Sequence, residues 1–200
     1  MLTVRMTKGR LEAFSDGVIA ILITIMVLEL KKPAGADWSA LSADAPVLAA
    51  YVLSFVLVGI YWNNHHHLLH AADHIDGKVL WANLHLLFWL SLIPWATAWN
   101  GEDLFQPVPT AVYGVILFFA GIAYLILQTL LIRLEAPRSK LKTQIGRDIK
   151  GKLSGVLYLL SIPVALAGFA WLADAIFVVV ALMWLVPDKR LERAHEEKHA

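Results

Sequence analysis

The chain has 200 residues, of which 58% are hydrophobic and only 16% are charged, and its formal net charge at pH 7 is +1. A soluble domain is about 45–50% apolar and about 25% charged, so this composition excludes a simple cytosolic globule and a disordered chain. The absence of cysteine excludes a disulfide-linked secreted scaffold, thiolate chemistry and any metal site built on cysteine. The class that remains is an integral membrane protein.

Six apolar stretches along the chain are candidates for membrane crossings. A hydrocarbon core about 30 Å thick needs roughly 17–25 mostly apolar helical residues. The stretches are rich in Leu, Ile and Ala and lack strict alternation, which indicates helices rather than barrel strands. The predicted spans are 14–30, 46–62, 79–99, 108–132, 153–172 and 175–186. The sequence therefore predicts an all-α, polytopic membrane protein with a single six-span domain over residues 1–200.

Two features within these spans predict irregularities. The fifth and sixth stretches are joined only by Ala173 and Asp174, and together they exceed the length of one crossing. We therefore expect a tight turn at that pair rather than one long helix. Pro94 and Pro163 lie inside the third and fifth spans, where proline predicts kinks.

The basic residues are distributed unevenly between the two sides that six crossings define. Of the 17 basic residues, 15 lie in the amino-terminal arm, the second-to-third loop, the loop 133–152 or the tail 188–200. The opposite side has only Lys31 and Lys32. The positive-inside rule then predicts that both termini are cytoplasmic. This topology accounts for the basic loop, so we expect no nucleic-acid partner.

The first span carries charged groups where they are costly. Arg10 and Glu12 can lie at the interface, but Asp16 lies about one turn deeper and needs a partner. Beyond it the helix is apolar nearly all round, so a helical wheel does not select the face that points inward. One stripe at helical spacing consists of Gly17, Ile21, Thr24, Ile25 and Leu28.

Three segments of the sequence carry a family resemblance. The first runs Arg10-x-x-x-Phe14-Ser15-Asp16 into an Ile/Leu-rich helix that ends Val27-Leu28-Glu29-Leu30. The others are Tyr61-Trp62-Asn63-Asn64-His65-His66-His67 and Leu80-Trp81-Ala82-Asn83-Leu84-His85-Leu86-Leu87-Phe88. With these motifs the chain resembles the transmembrane protein 175 family, which comprises endosomal and lysosomal potassium channels and their single-repeat prokaryotic relatives.

The resemblance implies a homotetramer whose first helices line a central pore, in the plasma (inner) membrane of a prokaryote. Family members lack a carbonyl filter, and this chain has no TVGYG-like loop. The resemblance places the narrowest ring at Ile21, a hydroxyl at Thr24 and the continuation of the stripe at Ile25 and Leu28. A hydrophobic constriction of this kind closes by dewetting. We expect it to favour K⁺ over Na⁺ only modestly, because K⁺ sheds its water more cheaply.

The resemblance also implies a packing and hydrogen-bond network that anchors the first helix. Its members here are Arg10, Phe14, Ser15 and Asp16. The candidate partners at the same level of the membrane are Asn63, Asn64, His66, Trp81, Asn83 and His85. The sequence does not select among these partners.

Two other functions compete with a channel. Clustered histidines suggest an intramembrane metal enzyme, but six of them form one cluster and no second histidine box exists, while His195 and His199 lie in the charged tail. We therefore expect no enzyme activity, no metal and no cofactor, with permeant K⁺ as the ligand. The main rival is a secondary transporter of a small ion or solute, because broken helices are a transporter device.

Overall fold

Every regular element in the described part of the chain is an α-helix. The computed structural model describes residues 7–72, 74–134 and 148–185. Its helices are α1 (Lys8–Leu28), α2 (Trp38–Ala43), α3 (Ala45–Ala71), α4 (Gly77–Ser91), α5 (Ile93–Glu102), α6 (Pro107–Leu134), α7 (Ile149–Leu166) and α8 (Ala170–Leu185). The all-α prediction is confirmed.

Five helical stretches in the described ranges are long and apolar enough to cross a bilayer. They are Lys8–Leu28, Ala45–Ala71, Gly77–Glu102, Pro107–Leu134 and Ile149–Leu166. The sixth predicted span corresponds to α8, an apolar helix of 16 residues. At about 1.5 Å per residue it rises about 24 Å, slightly less than the thickness of a hydrocarbon core.

Several predictions concern residues outside the described ranges. They are Val186 at the end of the sixth span, the tail 188–200 with His195 and His199, the amino-terminal arm before Thr7 and most of the loop 133–152. Many of the basic residues that predict the orientation belong to these segments.

The third predicted span is interrupted at Leu92, where α4 ends and α5 begins. Pro94 lies in the first turn of α5. Proline is tolerated there because its missing N–H has no partner within the helix at that position. Pro163 lies inside α7, which ends three residues later at Leu166.

The turn between the last two helices lies six residues before the predicted position. The structure places it at Ala167–Phe169, and Ala173 and Asp174 both belong to α8. Gly168 has a φ of +92°, a conformation that glycine adopts without steric cost. Its N–H donates to the carbonyl of Ala165 at 3.0 Å. The chain therefore turns where a glycine permits it, and the predicted turn at Ala173–Asp174 is corrected.

Helix α6 has more buried residues than any other described helix and packs against α4, α5, α7 and α8. Its contact with α7 is close, because a Cβ on Gly114 would lie 2.7 Å from Ser161 Oγ. Helix α1 packs against α3, α4 and α5. One side of α1 is therefore covered by the subunit and the other is not, which is the feature that positions the candidate site.

Candidate functional site

The two faces of α1 have different environments. Its buried residues are Leu11, Ser15, Ile19, Leu22 and Met26, which follow helical spacing along one side. The stripe of Gly17, Ile21, Thr24, Ile25 and Leu28 is exposed on the other side. The exposed fractions of the three large side chains are 58% at Ile21, 39% at Ile25 and 80% at Leu28. The structure thus shows which side of α1 the subunit leaves free, a choice that the helical wheel left open.

The exposed stripe is apolar except at Thr24. The Thr24 hydroxyl donates to the carbonyl of Ile21 at 2.8 Å, one turn earlier in the same helix. A hydroxyl that donates to its own helix keeps its oxygen available as an acceptor. The stripe therefore presents branched apolar side chains with one hydroxyl oxygen beside them.

Three helices are joined behind this stripe by a buried polar chain. Asn83 of α4 donates through Nδ2 to Ser15 Oγ of α1 at 2.9 Å. Its Oδ1 lies 2.6 Å from His65 Nε2 of α3, and because an amide oxygen only accepts, the histidine donates. Ser15, His65 and Asn83 each have an exposed fraction of 0%. We refer to these three residues as the buried triad, which ties α1 to both α3 and α4.

A second set of contacts joins α1 to α3 at the edge of the bundle. Its three pairs are Lys8 Nζ to the His70 carbonyl oxygen at 2.7 Å, Glu12 Oε1 to His66 Nδ1 at 3.1 Å and Trp62 Nε1 to Asp16 Oδ1 at 2.9 Å. The α1 members are four residues apart, and so are the α3 members, in the opposite order. We call these six residues the α1–α3 ladder. Asp16 therefore has a partner, as its depth in the span requires.

The structure brings together only part of the predicted anchoring network. Ser15 bonds Asn83, whereas Asp16 pairs with Trp62 and His66 contacts Glu12. Of the other predicted members, Arg10, Phe14, Asn63 and Trp81 are exposed. Asn64 donates to the Ile60 carbonyl, and His85 accepts from Trp89 Nε1.

His65, which bonds Asn83, and Trp62, which bonds Asp16, were not among the predicted partners. The sequence contained a signal for His65. His65 belongs to the buried stripe of α3, together with Leu57, Val58, Leu68 and Leu69. His66 and His67, its neighbours in sequence, lie outside that stripe. Apolar periodicity therefore distinguished His65 from the other histidines. Nothing comparable marked Trp62 as the partner of Asp16.

Another polar cluster lies at the opposite end of the bundle. Asn100 of α5 donates to Asp174 Oδ1 of α8 at 3.0 Å and accepts from the Thr110 hydroxyl of α6 at 2.9 Å. This cluster explains why Asp174 is held within a helix instead of forming a turn. In the ranges that the structure describes, no three His, Asp or Glu side chains come together as metal ligands.

We expect Asp16→Ala to weaken subunit assembly more than ion selectivity. The substitution leaves the Trp62 indole N–H without its acceptor and removes one pair of the ladder, at a cost of about 1 kcal/mol. The measurement is the thermal stability of the oligomer in detergent, alongside K⁺/Na⁺ selectivity. Asp16→Asn, which keeps an oxygen acceptor, is the matched control. An Asp16→Ala protein with wild-type oligomer stability would contradict this expectation.

Comparison with known proteins extends these observations. The model of a family described as the endosomal/lysosomal potassium channel TMEM175 matches residues 10–94. This range includes α1 from Arg10 onward, the buried triad and the ladder residues Glu12, Asp16, Trp62, His66 and His70. The family match therefore covers the part of the chain in which the structure concentrates its functional geometry.

Individual relatives are named as ion channels. The chain is 52% identical over 192 residues to a potassium channel of Chryseobacterium sp. (strain P1-3), covering 96% of this chain and 100% of that protein. It is 36% identical over 96 residues to the human endosomal/lysosomal proton channel TMEM175, covering 42% of this chain and 19% of the human protein.

A solved structure shares the fold. It is the crystal structure of a lysosomal potassium-selective channel TMEM175 homolog from Chamaesiphon minutus. The match has a TM-score of 0.77 at 27% sequence identity and covers 90% of this chain and 96% of that one. Helices α1 to α8 thus form an arrangement that has a solved counterpart over nearly its whole length.

Proposed function

This chain belongs to the TMEM175 family, and we propose that it is the subunit of a potassium channel. The full-length similarity to a bacterial relative named as a potassium channel supports this function. The human relative is named as a proton channel, but the similarity covers only 19% of its length. K⁺ is therefore the proposed permeant ion, and the channel requires no cofactor and no catalytic centre.

One observation carries the proposed mechanism, namely the uncovered apolar stripe on α1. In a homotetramer with four α1 helices around one axis, the stripe of each copy faces the axis. Each copy then contributes one Ile21 to a ring, with Ile25 and Leu28 beyond it. The covered side of α1, with Ser15 and its triad, remains packed against its own subunit. This arrangement gives the exposed stripe a role that a monomer does not provide.

The ring of Ile21 side chains acts as a hydrophobic constriction. Four branched apolar side chains around an axis exclude water below a critical radius, so the constriction gates by dewetting. An ion that passes must shed water with few compensating ligands, and Thr24 supplies the nearest oxygens. K⁺ loses its water at lower cost than Na⁺, so the channel favours K⁺ modestly and less strongly than a carbonyl cage.

The proposed setting is the inner membrane of a prokaryote, with both termini in the cytoplasm. The basic residues of the sequence support this orientation through the positive-inside rule. Lys31, one of the two basic residues on the opposite side, forms an ion pair with Glu102 at 2.6 Å. Glu102 raises the pKa of Lys31 through this hydrogen bond. Pairing offsets one of the two positive charges on the outer side.

A secondary transporter is the alternative, and the helix break at Leu92 is the observation that favours it. The two functions differ in coupling. A channel passes K⁺ down its gradient, whereas a transporter requires a second ion or a solute.

The decisive experiment reconstitutes the purified full-length chain in liposomes loaded with K⁺. We expect K⁺ efflux that follows the imposed voltage and needs no Na⁺, H⁺ or solute gradient. A parallel experiment with a pH-sensitive dye measures proton flux, which we expect to be smaller than the K⁺ flux. Efflux that appears only with a second gradient would support a transporter, and a folded tetramer without K⁺ flux would contradict the proposal.

A further inference from the structure

The α1–α3 ladder contains one pair whose attraction depends on a proton. The outer pairs join an ammonium to a backbone carbonyl and an indole N–H to a carboxylate, and these contacts do not require a titrating ring. The middle pair joins the Glu12 carboxylate to His66 Nδ1 at 3.1 Å. Histidine is the side chain whose ordinary titration falls between about pH 5 and pH 8.

We infer that Glu12 and His66 are positioning residues that hold α1 against α3 more strongly when His66 is protonated. The inference rests on the proposed function, because it concerns the placement of the helix that carries Ile21. Neither residue is placed on the ion path. Their effect on permeation is transmitted through the position of α1.

The geometry of the contact favours charge attraction over a simple hydrogen bond. Among the described residues the buried His66 Nδ1 atom has no hydrogen-bond partner, although Glu12 Oε1 lies 3.1 Å away. A neutral ring gains little from a carboxylate in this position. A protonated ring gains Coulomb attraction, which does not require an aligned N–H. Since the side chains of His66 and Glu12 are 40% and 21% exposed, solvent screens part of that attraction.

The charged groups around this contact are of both signs. On α1, Asp16 adds a second carboxylate one turn from Glu12. Lys8 adds a positive charge on the same helix, and its ammonium donates to the His70 carbonyl. On α3, His70 stacks on His66 with ring centroids 6.0 Å apart, His67 lies edge-on at 5.8 Å, and the buried His65 is bonded to Asn83. On α4, Lys78 is exposed and His85 is bonded to Trp89.

The ladder is near enough to the stripe to affect it. Glu12 precedes Ile21 by nine residues of the same helix, which corresponds to about 13.5 Å along its axis. The buried triad holds α1 at Ser15, between these two levels. A change in the attraction at Glu12 therefore acts on the end of a helix that is fixed at its middle, and it alters the tilt of the segment that bears the stripe.

The test is a double-mutant cycle on the full-length chain in detergent, with Glu12→Gln, His66→Gln and the double variant. Thermal unfolding is measured at about pH 5.5 and about pH 8, on either side of the ordinary imidazole titration. We expect an interaction between the two positions equivalent to about a two- to fivefold change in the unfolding equilibrium at acid pH. Because only a protonated imidazole is charged, we expect the interaction to be smaller at about pH 8 than at about pH 5.5.

His70→Gln is the matched control, since it keeps the backbone carbonyl that accepts from Lys8 and removes a ring of α3 that pairs with no carboxylate among the residues the structure describes. We expect its stability to follow the wild-type pH dependence. An interaction between Glu12 and His66 that is absent at both pH values, or equal at both, overturns the inference.

A second readout links the pair to permeation. In liposomes, acidification on the side that bears the ladder is expected to change K⁺ flux in the wild type and in His70→Gln, but not in Glu12→Gln or His66→Gln. If flux is absent in all four proteins while the cycle shows acid-dependent coupling, the proposed function fails and the pH-dependent contact stands. If flux responds to pH equally in all four, the pair does not position α1.

Discussion

Replacing Ile21 with asparagine is expected to raise the K⁺ current and to move the K⁺/Na⁺ permeability ratio toward one. The amide supplies hydrogen-bonding groups to water and ions at the proposed constriction, so both the dewetting barrier and the cost of losing hydration fall. A decrease of about 1.4 kcal/mol in that barrier corresponds to about a tenfold increase in rate. The measurement is the reversal potential and conductance under K⁺/Na⁺ gradients.

Two further variants make this result specific. Ile21→Ala widens the constriction without adding polarity. We therefore expect a current above that of the wild type, with a smaller decrease in the dewetting barrier than Ile21→Asn causes. Val27→Ala removes a 46% exposed side chain of α1 that lies outside the stripe, and we expect it to behave as the wild type. Unchanged selectivity and conductance in both Ile21 variants would remove Ile21 from the ion path.

Replacing Asn83 with leucine is expected to cause the largest loss of stability among these single substitutions. Asn83 is the only member of the buried triad that bonds both others, so leucine removes two hydrogen bonds and leaves Ser15 and His65 facing an apolar side chain. Interhelical hydrogen bonds and unpaired buried groups together give an expected cost of about 2–4 kcal/mol. Thermal or denaturant unfolding of the full-length chain in detergent measures this cost.

Asn63→Leu is the matched control for that substitution. It makes the same chemical change at an exposed position of α3, away from the triad. We expect it to unfold close to the wild type, within about 0.5 kcal/mol. If Asn83→Leu also remains as stable as the wild type, the triad does not anchor α1.

The sequence predicted the helices well and their irregularities less well. The spans beginning at 14, 46, 79 and 108 each correspond to a helix or a pair of helices in the structure. The turn before α8 was misplaced because Asp174 was interpreted as a loop residue, whereas Asn100 from α5 satisfies its carboxylate inside the bundle. A polar residue in an apolar stretch indicates either a turn or a buried partner, and the partner was distant in sequence.

The sequence predicted which residues of α1 need partners better than it predicted the partners themselves. The motif around Ser15 and Asp16 identified the residues that need partners, and Asn83 was among the candidates. The sequence did not assign Trp62 to Asp16, His65 to Asn83 or Glu12 to His66. Each of these pairs joins residues separated by 18 or more positions. Such pairs depend on how the helices pack.

Composition and hydropathy alone determined that this chain is helical and suited to a membrane. Backbone N–H and C=O groups in hydrocarbon must bond within their own segment, so long apolar stretches without strand alternation form helices irrespective of their neighbours. Only the tertiary structure decided which side of α1 is covered and which histidine is buried. An almost uniformly apolar helix has no preferred face of its own, and its orientation is set by the side chains that α3, α4 and α5 pack against it.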